Sequence, residues 1–343
     1  MRIRARAPLR VSFAGGGTDV APFPAEHGGH VLSATIDRYA YGSLDPRTDG
    51  QISIESVDYG MVLDWPVDRP PALDGKLDLA KAAIARLTRD APGHGGHDGG
   101  FDIFLHSNAP PGSGLGSSST VMVVLIGLLD AYLKLGLTEY EIAQLAFDLE
   151  RNDLGIAGGR QDQYAATFGG FNFIEFEADR TIVNPLRIKD ECINELEHNL
   201  LLCYTGVTRA SGHIIDDQRD RYTGGEQGAL DGLQMQKTLA VEMKNMLLKS
   251  QLDDFGRLLG DAWEHKKKMS PLITNPFIDE LYEGAMSTGA LGGKVTGAGG
   301  GGYILFYCDF RKRHAVARHL VKMGASVTDF AFEPRGVSTW RMR

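Results

Sequence analysis

The sequence is short of cysteine, of long hydrophobic runs and of positive charge, and each shortage excludes a class of protein. Its 343 residues hold three cysteines, distant from one another and without a CxxC pair, which favours a reduced cytoplasmic protein. The longest apolar run, residues 121–133, is interrupted by Asp130 and is too short to cross a bilayer. The formal charge of −8 argues against general nucleic-acid binding, so we expect neither a nucleic acid nor a membrane as partner.

Two common signatures are missing from the most informative segment, residues 110–119. This glycine- and serine-rich stretch lies between a predicted strand, residues 101–106, and a predicted helix, residues 117–135. Ser117 stands where a P-loop needs lysine, and the glycines, spaced by two, do not have the dinucleotide-binding spacing. Because a tight glycine turn and a helix N-terminus together bind anions, the segment is either another kind of phosphate site or a plain glycine-rich turn.

What is present is an ordinary globular composition, with 43% apolar and 23% charged residues and a length that fits two domains. The last part alternates strand, turn, strand, helix and two strands over residues 292–342, which is typical of a small α+β domain. Further strands are predicted at residues 8–14, 39–45, 51–57, 171–176 and 199–205, and further helices at 77–90, 139–153 and over most of 228–289.

A change from glycine-rich to helix-rich sequence between residues 170 and 200 predicts the domain boundary. We place it so that one domain covers residues 1–180 and the other covers residues 181–343. The glycine- and histidine-rich stretch 92–100 is predicted to be a surface loop rather than a metal site.

Two more glycine-rich segments favour a ligand over a simple turn. In residues 8–19 a strand leads into three glycines, followed by Thr18 and by Asp19, whose carboxylate could accept hydrogen bonds from sugar hydroxyls. The alternative is a tight turn closed by an Asx cap. Residues 294–303 contain five glycines between two strands, whereas a hairpin needs one or two.

Charged residues supply two further candidates. Glu150 and Asp162 lie on either side of a glycine break, and such a pair could place one carboxylate on a metal and the other near a substrate hydroxyl. Taken alone, they are more typical of a charged helix surface. The three lysines at 266–268 are either a solvated helix face or a site for a substrate phosphate.

Three of these segments, in this order, resemble motifs of the GHMP kinase family of small-molecule kinases. Residues 8–19 are similar to its N-terminal substrate motif, residues 110–119 to Pro-x-x-x-Gly-Leu-Gly-Ser-Ser, and residues 297–302 to Gly-Ala-Gly-x-Gly-Gly. The resemblance spans nearly the whole chain. It implies an α+β fold of two domains, the second ferredoxin-like, with the active site in the cleft between them.

The resemblance also implies the parts of an ATP- and Mg²⁺-dependent kinase. Ser118 and Glu150 match the family's Mg²⁺ ligands. Asp162 matches the Asp that takes the proton from the attacking hydroxyl, and Arg10 matches the Arg beside it. The ATP phosphates would be wrapped by one continuous loop, Pro111, Gly112, Ser113, Gly114, Leu115, Gly116, Ser117, Ser118 and Ser119.

The implied substrate is a sugar. Within the family, Arg10 with residues 15–19, residues 161–163 and residues 263–270 look like the kinases that phosphorylate the anomeric hydroxyl of D-glycero-D-manno-heptose 7-phosphate for bacterial surface polysaccharides. We assign the substrate's phosphate to Arg209 and to one of Lys266, Lys267 and Lys268, and we name Lys266 as the candidate without deciding among the three. Its other contacts are expected from Gly16, Gly17, Thr18, Asp19, Gly299 and Gly300.

Two alternatives remain at this point, and a third is excluded. The protein could phosphorylate the anomeric hydroxyl of a free sugar such as fucose or mannose, and the fucokinase kinase domain is the next nearest resemblance. It could also be a catalytically silent sugar- or nucleotide-binding protein of the same fold. A nicotinamide oxidoreductase would need a strand–GxGxxG–helix unit, which the sequence lacks. A homodimer is possible.

Overall fold

A large, mostly antiparallel sheet organises the first half of the computed structural model, which describes residues 2–90, 99–209 and 211–342. Its main strand order is β12-β1-β2-β5-β3-β4, β6 and β7 are joined to it through β2, and the one parallel pair is β3 with β5. The strands are β1 (Arg2–Ala14), β2 (Gly29–Pro46), β3 (Gln51–Ser56), β4 (Met61–Pro66), β5 (Gly100–Ser107), β6 (Phe171–Phe176), β7 (Thr181–Pro185) and β12 (Ser338–Met342).

One face of this sheet is covered by an apolar helix, α3, whose residues are almost all buried. A helix that is apolar all round belongs in a core, and a side chain at Gly42 of β2 would come within 2.7 Å of Val124 on this helix. The helices of this half are α1 (Phe23–His27), α2 (Asp78–Asp90), α3 (Ser117–Leu133), α4 (Glu139–Phe147) and α5 (Gln161–Phe168), and a π-helical turn (Asp148–Asp153) follows α4.

The second half is built on a four-stranded antiparallel sheet of order β11-β8-β10-β9. Its central strand β10 reads as an unbroken apolar run and is buried along its whole length. The strands are β8 (Leu200–Tyr204), β9 (Ala290–Val295), β10 (Tyr303–Cys308) and β11 (Ser326–Thr328), and the helices are α6 (Asp190–Asn199), α7 (Ser211–Thr223), α8 (Gln227–Leu248), α9 (Leu252–Lys267), α10 (Pro276–Thr288) and α11 (Phe310–Lys322).

The two halves share a hydrophobic core along the C-terminal part of β1. Leu9, Val11 and Phe13 are fully buried, and the Phe13 ring meets the Phe255 ring of α9 edge-on at 5.2 Å between centroids. β1 therefore belongs to the first sheet and is packed against the second half at the same time. This double contact brings the glycine-rich turns of both halves to one cleft.

The structure confirms most of the predicted elements and corrects two. The strand expected over residues 325–333 is limited to β11, and the helix expected over residues 139–153 ends at Phe147 and continues as the π-helical turn. β7 and β12 lie beyond residue 180 but pair within the first sheet, so the predicted boundary does not separate the two sheets. Of the predicted loop 92–100, residues 92–98 lie outside the described residues. No helix in the described ranges is long and apolar enough to span a membrane.

Candidate active site

The loop before α3 alternates between residues that line a cleft and residues that anchor it. Gly112, Gly114 and Gly116 line the cleft with φ values of +75°, +84° and +75°, a conformation that favours glycine. Between them, Ser113 and Leu115 are buried in the protein. The glycine spacing of two is thus explained by this alternation. The loop ends at the first turn of α3, whose N–H groups begin at the cleft.

Both halves of the protein contribute to this cleft. The first half supplies the glycine loop, the Gly16–Asp19 turn and the start of α5, while the second supplies the Gly297–Gly299 turn and parts of α7 and α9. The turns approach so closely that a side chain on Gly297 would lie 2.7 Å from the Gly114 Cα. The charged residues that line the cleft are Arg10, Asp19, Glu150, Arg151, Asp162, Arg209 and Lys266.

Arg10 links the first strand to two other parts of the cleft. Its Nε donates to Asp162 Oδ1 at 2.7 Å, and Nη2 lies 2.7 Å from the same oxygen. Its Nη1 donates to the Gly114 carbonyl of the loop at 2.5 Å. The other Asp162 oxygen, Oδ2, accepts no hydrogen bond from the described residues. Arg10 therefore fixes the carboxylate and leaves one of its oxygens open to the cleft.

Asp19 is held by backbone and amide donors rather than by a cation. Its Oδ1 accepts hydrogen bonds from the Gly17 N–H at 3.1 Å and from Gln161 Nε2 at 3.0 Å, and its Oδ2 accepts one from the Gln161 N–H at 3.1 Å. The Gly159 backbone lies against the carboxylate, because a Cβ there would stand 1.9 Å from Asp19 Oδ2. These contacts orient a buried carboxylate at the cleft wall.

Glu150 is a buried carboxylate on the π-helical turn. Ser119 Oγ donates to its Oε2 at 2.8 Å, Gln163 Nε2 also donates to it, and Arg151 lies 3.7 Å away. Burial raises the pKa of the Glu150 carboxyl, while Arg151 and the two hydrogen bonds act in the opposite direction. Ser118, in the first turn of α3, is exposed to the same cleft.

Only Lys266 of the lysine run lines the cleft. It is 2% exposed, and its Nζ forms no hydrogen bond or ion pair with the described residues. Burial lowers its pKa to about 8, against the opposing effect of Asp19 and with a smaller contribution from Arg10. Lys267 pairs with Glu264 at 2.8 Å, and Lys268 is exposed. Arg209 lines the cleft from an exposed position.

Some predicted site residues have structural positions instead. Thr18 is fully buried, and its Oγ1 is bonded to the backbone of Gly15 and His30, so its side chain cannot contact a ligand. Gly300 lies outside the cleft lining and is held by its N–H to the Ile273 carbonyl. The remaining predicted residues that do not line the cleft are Pro111, Ser113 and Leu115.

Sequence reasoning missed several residues of the cleft. Gln161 donates to Asp19, and Arg151 donates to the Gly159 carbonyl. The adjacent Gly158–Gly159 pair is the sequence feature that could have indicated both residues. Lys294 is fully buried behind Lys266 and donates to the Ser12 carbonyl at 2.7 Å. Its position inside an apolar strand is the sequence feature that could have indicated it, since lysine is rarely buried without a partner.

Comparison with known proteins decides the family. The family models described as the N-terminal and C-terminal domains of GHMP kinases match residues 78–170 and 243–326. The chain belongs to the GHMP kinases. The expected family and the two-domain α+β fold are confirmed, and with them an ATP-dependent kinase rather than an oxidoreductase. The metal, catalytic and substrate roles of individual residues remain predictions.

Three relatives show which members of the family this chain is similar to. The chain is 39% identical to a D-glycero-alpha-D-manno-heptose 7-phosphate kinase of Campylobacter jejuni over 99% of both chains. It is 28% identical to an L-fucokinase/L-fucose-1-P guanylyltransferase of Bacteroides fragilis, over 87% of this chain and 34% of that protein. A crystal structure of a D-glycero-D-manno-heptose 1-phosphate kinase from Bacteriodes thetaiotaomicron has a TM-score of 0.83 and 34% identity over 99% of both chains.

Replacing Gly159 by alanine tests whether the Asp19 position matters. The new Cβ would collide with the Asp19 carboxylate, so we expect the KM for the phosphate acceptor to rise about tenfold or more while the KM for ATP changes little. Steady-state kinetics measures both. Gly228→Ala is the control, because it lies in a helix where the nearest atom is 3.4 Å from the added Cβ. Equal KM values in both variants would contradict the assignment of Asp19.

Proposed function

We propose that this GHMP kinase transfers the γ-phosphate of ATP to the anomeric C1 hydroxyl of D-glycero-D-manno-heptose 7-phosphate, giving the 1,7-bisphosphate. The observation that carries the proposal is a second possible anion site in the cleft, separate from the phosphate loop. Besides the phosphate loop, the cleft contains a buried lysine, Lys266, that forms no hydrogen bond or ion pair with the described residues and lies near the carboxylate of Asp19. A sugar that carries its own phosphate would supply the missing anion.

The ATP would lie along the loop with its phosphates at the N-terminus of α3. Backbone N–H groups and the positive end of the helix dipole favour anions there. Beyond the cleft, Ile156 also lines an adjoining apolar cavity, which we assign to the adenine because flat apolar pockets suit a planar base. Its other walls are largely apolar: Met61, Leu77, Leu79, Ala80, Leu105, Val121, Met122, Leu125 and Leu154.

Ser118 and Glu150 fit a Mg²⁺ site beside these phosphates. A hydroxyl and a carboxylate are hard oxygen donors, and Mg²⁺ in kinases is typically held by one or two protein groups and by substrate phosphates. The buried Glu150 carboxyl with its raised pKa also favours a nearby cation. Bound there, Mg²⁺ would neutralise charge on the phosphates of ATP.

Asp162 would act as the base for the acceptor hydroxyl. Its Oδ1 is occupied by Arg10, and its open Oδ2 is the oxygen that would take the proton as the C1 oxygen attacks the phosphorus. The carboxylate also lies against the phosphate loop, since a Cβ at Gly116 would stand 3.2 Å from its Cγ. Base and phosphate donor are therefore brought to one point, and positioning supplies much of phosphoryl-transfer catalysis.

The substrate phosphate would lie between Lys266 and Arg209. Ser211, the first residue of α7, lines the cleft beside Arg209 and would add a hydroxyl and a helix N-terminus. The relatives support a phosphorylated heptose, but their names place the phosphate differently, one as a 7-phosphate kinase and one as a 1-phosphate kinase. The acceptor position is accordingly part of the proposal.

Because the chain is also similar to a fucokinase, a free sugar is the second candidate for the phosphate acceptor. The two candidates differ in whether Lys266 receives an anion. Three buried free cysteines suit a reducing cytoplasm, where ATP and sugar phosphates occur, and we place the enzyme there as a source of activated heptose for surface polysaccharide.

A substrate panel tests the function directly. Mg²⁺-ATP is supplied with the heptose 7-phosphate, the unphosphorylated heptose, fucose and mannose, and the product of each reaction is identified by NMR. We expect kcat/KM for the 7-phosphate to exceed that for the free heptose by at least a hundredfold, with phosphate added at C1. Preferred turnover of a free sugar would favour the second candidate, and binding without transfer would indicate a silent binding protein.

Asp162→Asn tests the base. The amide keeps the shape of the side chain but cannot take a proton, so we expect ATP affinity to stay within about twofold and kcat to fall by about a hundredfold or more. Rapid-quench kinetics and nucleotide titration measure the two quantities. Asp179→Asn, the same substitution at an exposed position away from the cleft, is the control. A fully active Asp162→Asn enzyme would exclude the assignment.

Lys266→Met tests the substrate phosphate. Because the pKa of Lys266 is about 8, its charge is present below that pH and is lost above it. We therefore expect kcat/KM for the heptose 7-phosphate to fall as the pH rises through about 8, and the variant to lose both this dependence and the preference for a phosphorylated sugar. Lys267→Met is the matched control. If both variants keep the preference, Lys266 does not bind the phosphate.

A further inference from the structure

We propose that the open face of the large sheet, opposite α3, is the interface of a homodimer. Alternation along each strand directs every second side chain of β12, β1, β2, β5, β3 and β4 to this outer face. Arg4 of β1 is opposite Trp340 on one side and Ser43 on the other, and the same row continues through Phe104 and Glu55 to Val62. No described element covers the row.

The outer face exposes four large apolar side chains. Trp340 is 41% exposed, Met342 50%, Phe104 42% and Val62 58%. A single exposed apolar residue is ordinary, but several on one regular surface are typical of an interaction site. β12 and β4, which carry three of the four, are also the edges of the main strand order.

The charges of the outer face are separated across the strands. Arg2, Arg4 and Arg6 form a basic column on β1, whereas Glu55 on β3 and Asp64 on β4 form an acidic side. Next to the basic column, β12 carries Trp340 and Met342 at the edge of the sheet. Next to the acidic side, β4 carries Val62 at the opposite edge. Such a surface is complementary to a copy of itself turned by 180°, which favours a second copy of this chain over any other partner.

A two-fold axis parallel to the strands, passing between β2 and β5, satisfies this complementarity. It would place β1 over β3 of the partner subunit and β12 over β4 of the partner subunit. Arg4 would then face Glu55, and Trp340 would face Val62, twice in each dimer. β2 would face β5, bringing Asp45 near Asp102, but Asp45 is already paired with Arg2 and Asp102 with Arg47.

Charge reversal tests the proposed dimer, because a variant that merely misfolds would not recover when it is mixed with the opposite variant. Light scattering during size exclusion at low salt should give twice the chain mass of 37.3 kDa for the wild type. Arg4→Glu and Glu55→Arg should each be monomeric, because each sets like charges against each other twice. Mixing these two variants should restore a dimer, since the glutamate introduced at position 4 of one subunit then faces the arginine introduced at position 55 of the other and the native Arg4 faces the native Glu55, so that both contacts join unlike charges. The double variant R4E/E55R should dimerise alone, because both of its contacts are attractive again.

Controls keep the outcome decisive. Arg257→Glu makes the same charge change on an exposed position of α9 and should leave the dimer intact. Phe104→Glu provides a second disruption that does not touch Arg4, whose side chain also donates to Ser43. Melting temperature and ATP turnover confirm that each variant is folded. A monomeric wild type at about 100 µM, or a dimer that survives both single reversals, would overturn the proposal.

Discussion

The arrangement of the cleft depends on the pairing of one buried arginine. Arg10 lies on β1, yet its guanidinium contacts both the Asp162 carboxylate and the Gly114 carbonyl of the phosphate loop. Arg10 is 2% exposed, and a charge buried to that extent is costly unless it is paired, so these contacts restrain three segments distant in sequence. Because the core around Phe13 fixes β1 against the second half, the same strand also sets where α9 delivers Lys266.

The glycine-rich turns follow from this convergence. A Cβ at Gly302 would lie 2.2 Å from the Ser113 carbonyl oxygen, and one at Gly114 would lie 2.6 Å from the Thr296 carbonyl oxygen. The turn at 297–302 and the phosphate loop are thus packed backbone to backbone, with the Tyr303 N–H donating to the Ser113 carbonyl at 3.0 Å. Glycine is required there by close approach, which is why three turns that look independent in the sequence belong to one site.

Local pattern was sufficient to predict most elements and the phosphate loop, because periodicity and turn chemistry are properties of neighbouring residues. It could not place β12, whose pairing with β1 joins the two ends of the chain. It also gave Thr18 a ligand role, since burial is not written in a local motif. The choice among the three lysines was available, however: the buried stripe of α9 includes Ala262, Trp263 and Lys266, and helical spacing selects Lys266.

The distribution of charge explains how an acidic protein can bind two phosphorylated substrates. Arg10 and Asp162 are paired and largely offset each other's charge, whereas the donors that hold Asp19 are neutral and do not offset its charge. Lys294 does not line the cleft: it is buried, its Nζ donates to the Ser12 carbonyl, and burial and the neighbouring cations lower its pKa well below the usual value. Lys266 lines the cleft and forms no hydrogen bond or ion pair with the described residues, although Asp19 acts to raise its pKa. Anion binding at the acceptor end of the cleft is therefore expected to depend on this side chain more than on the net charge of the protein.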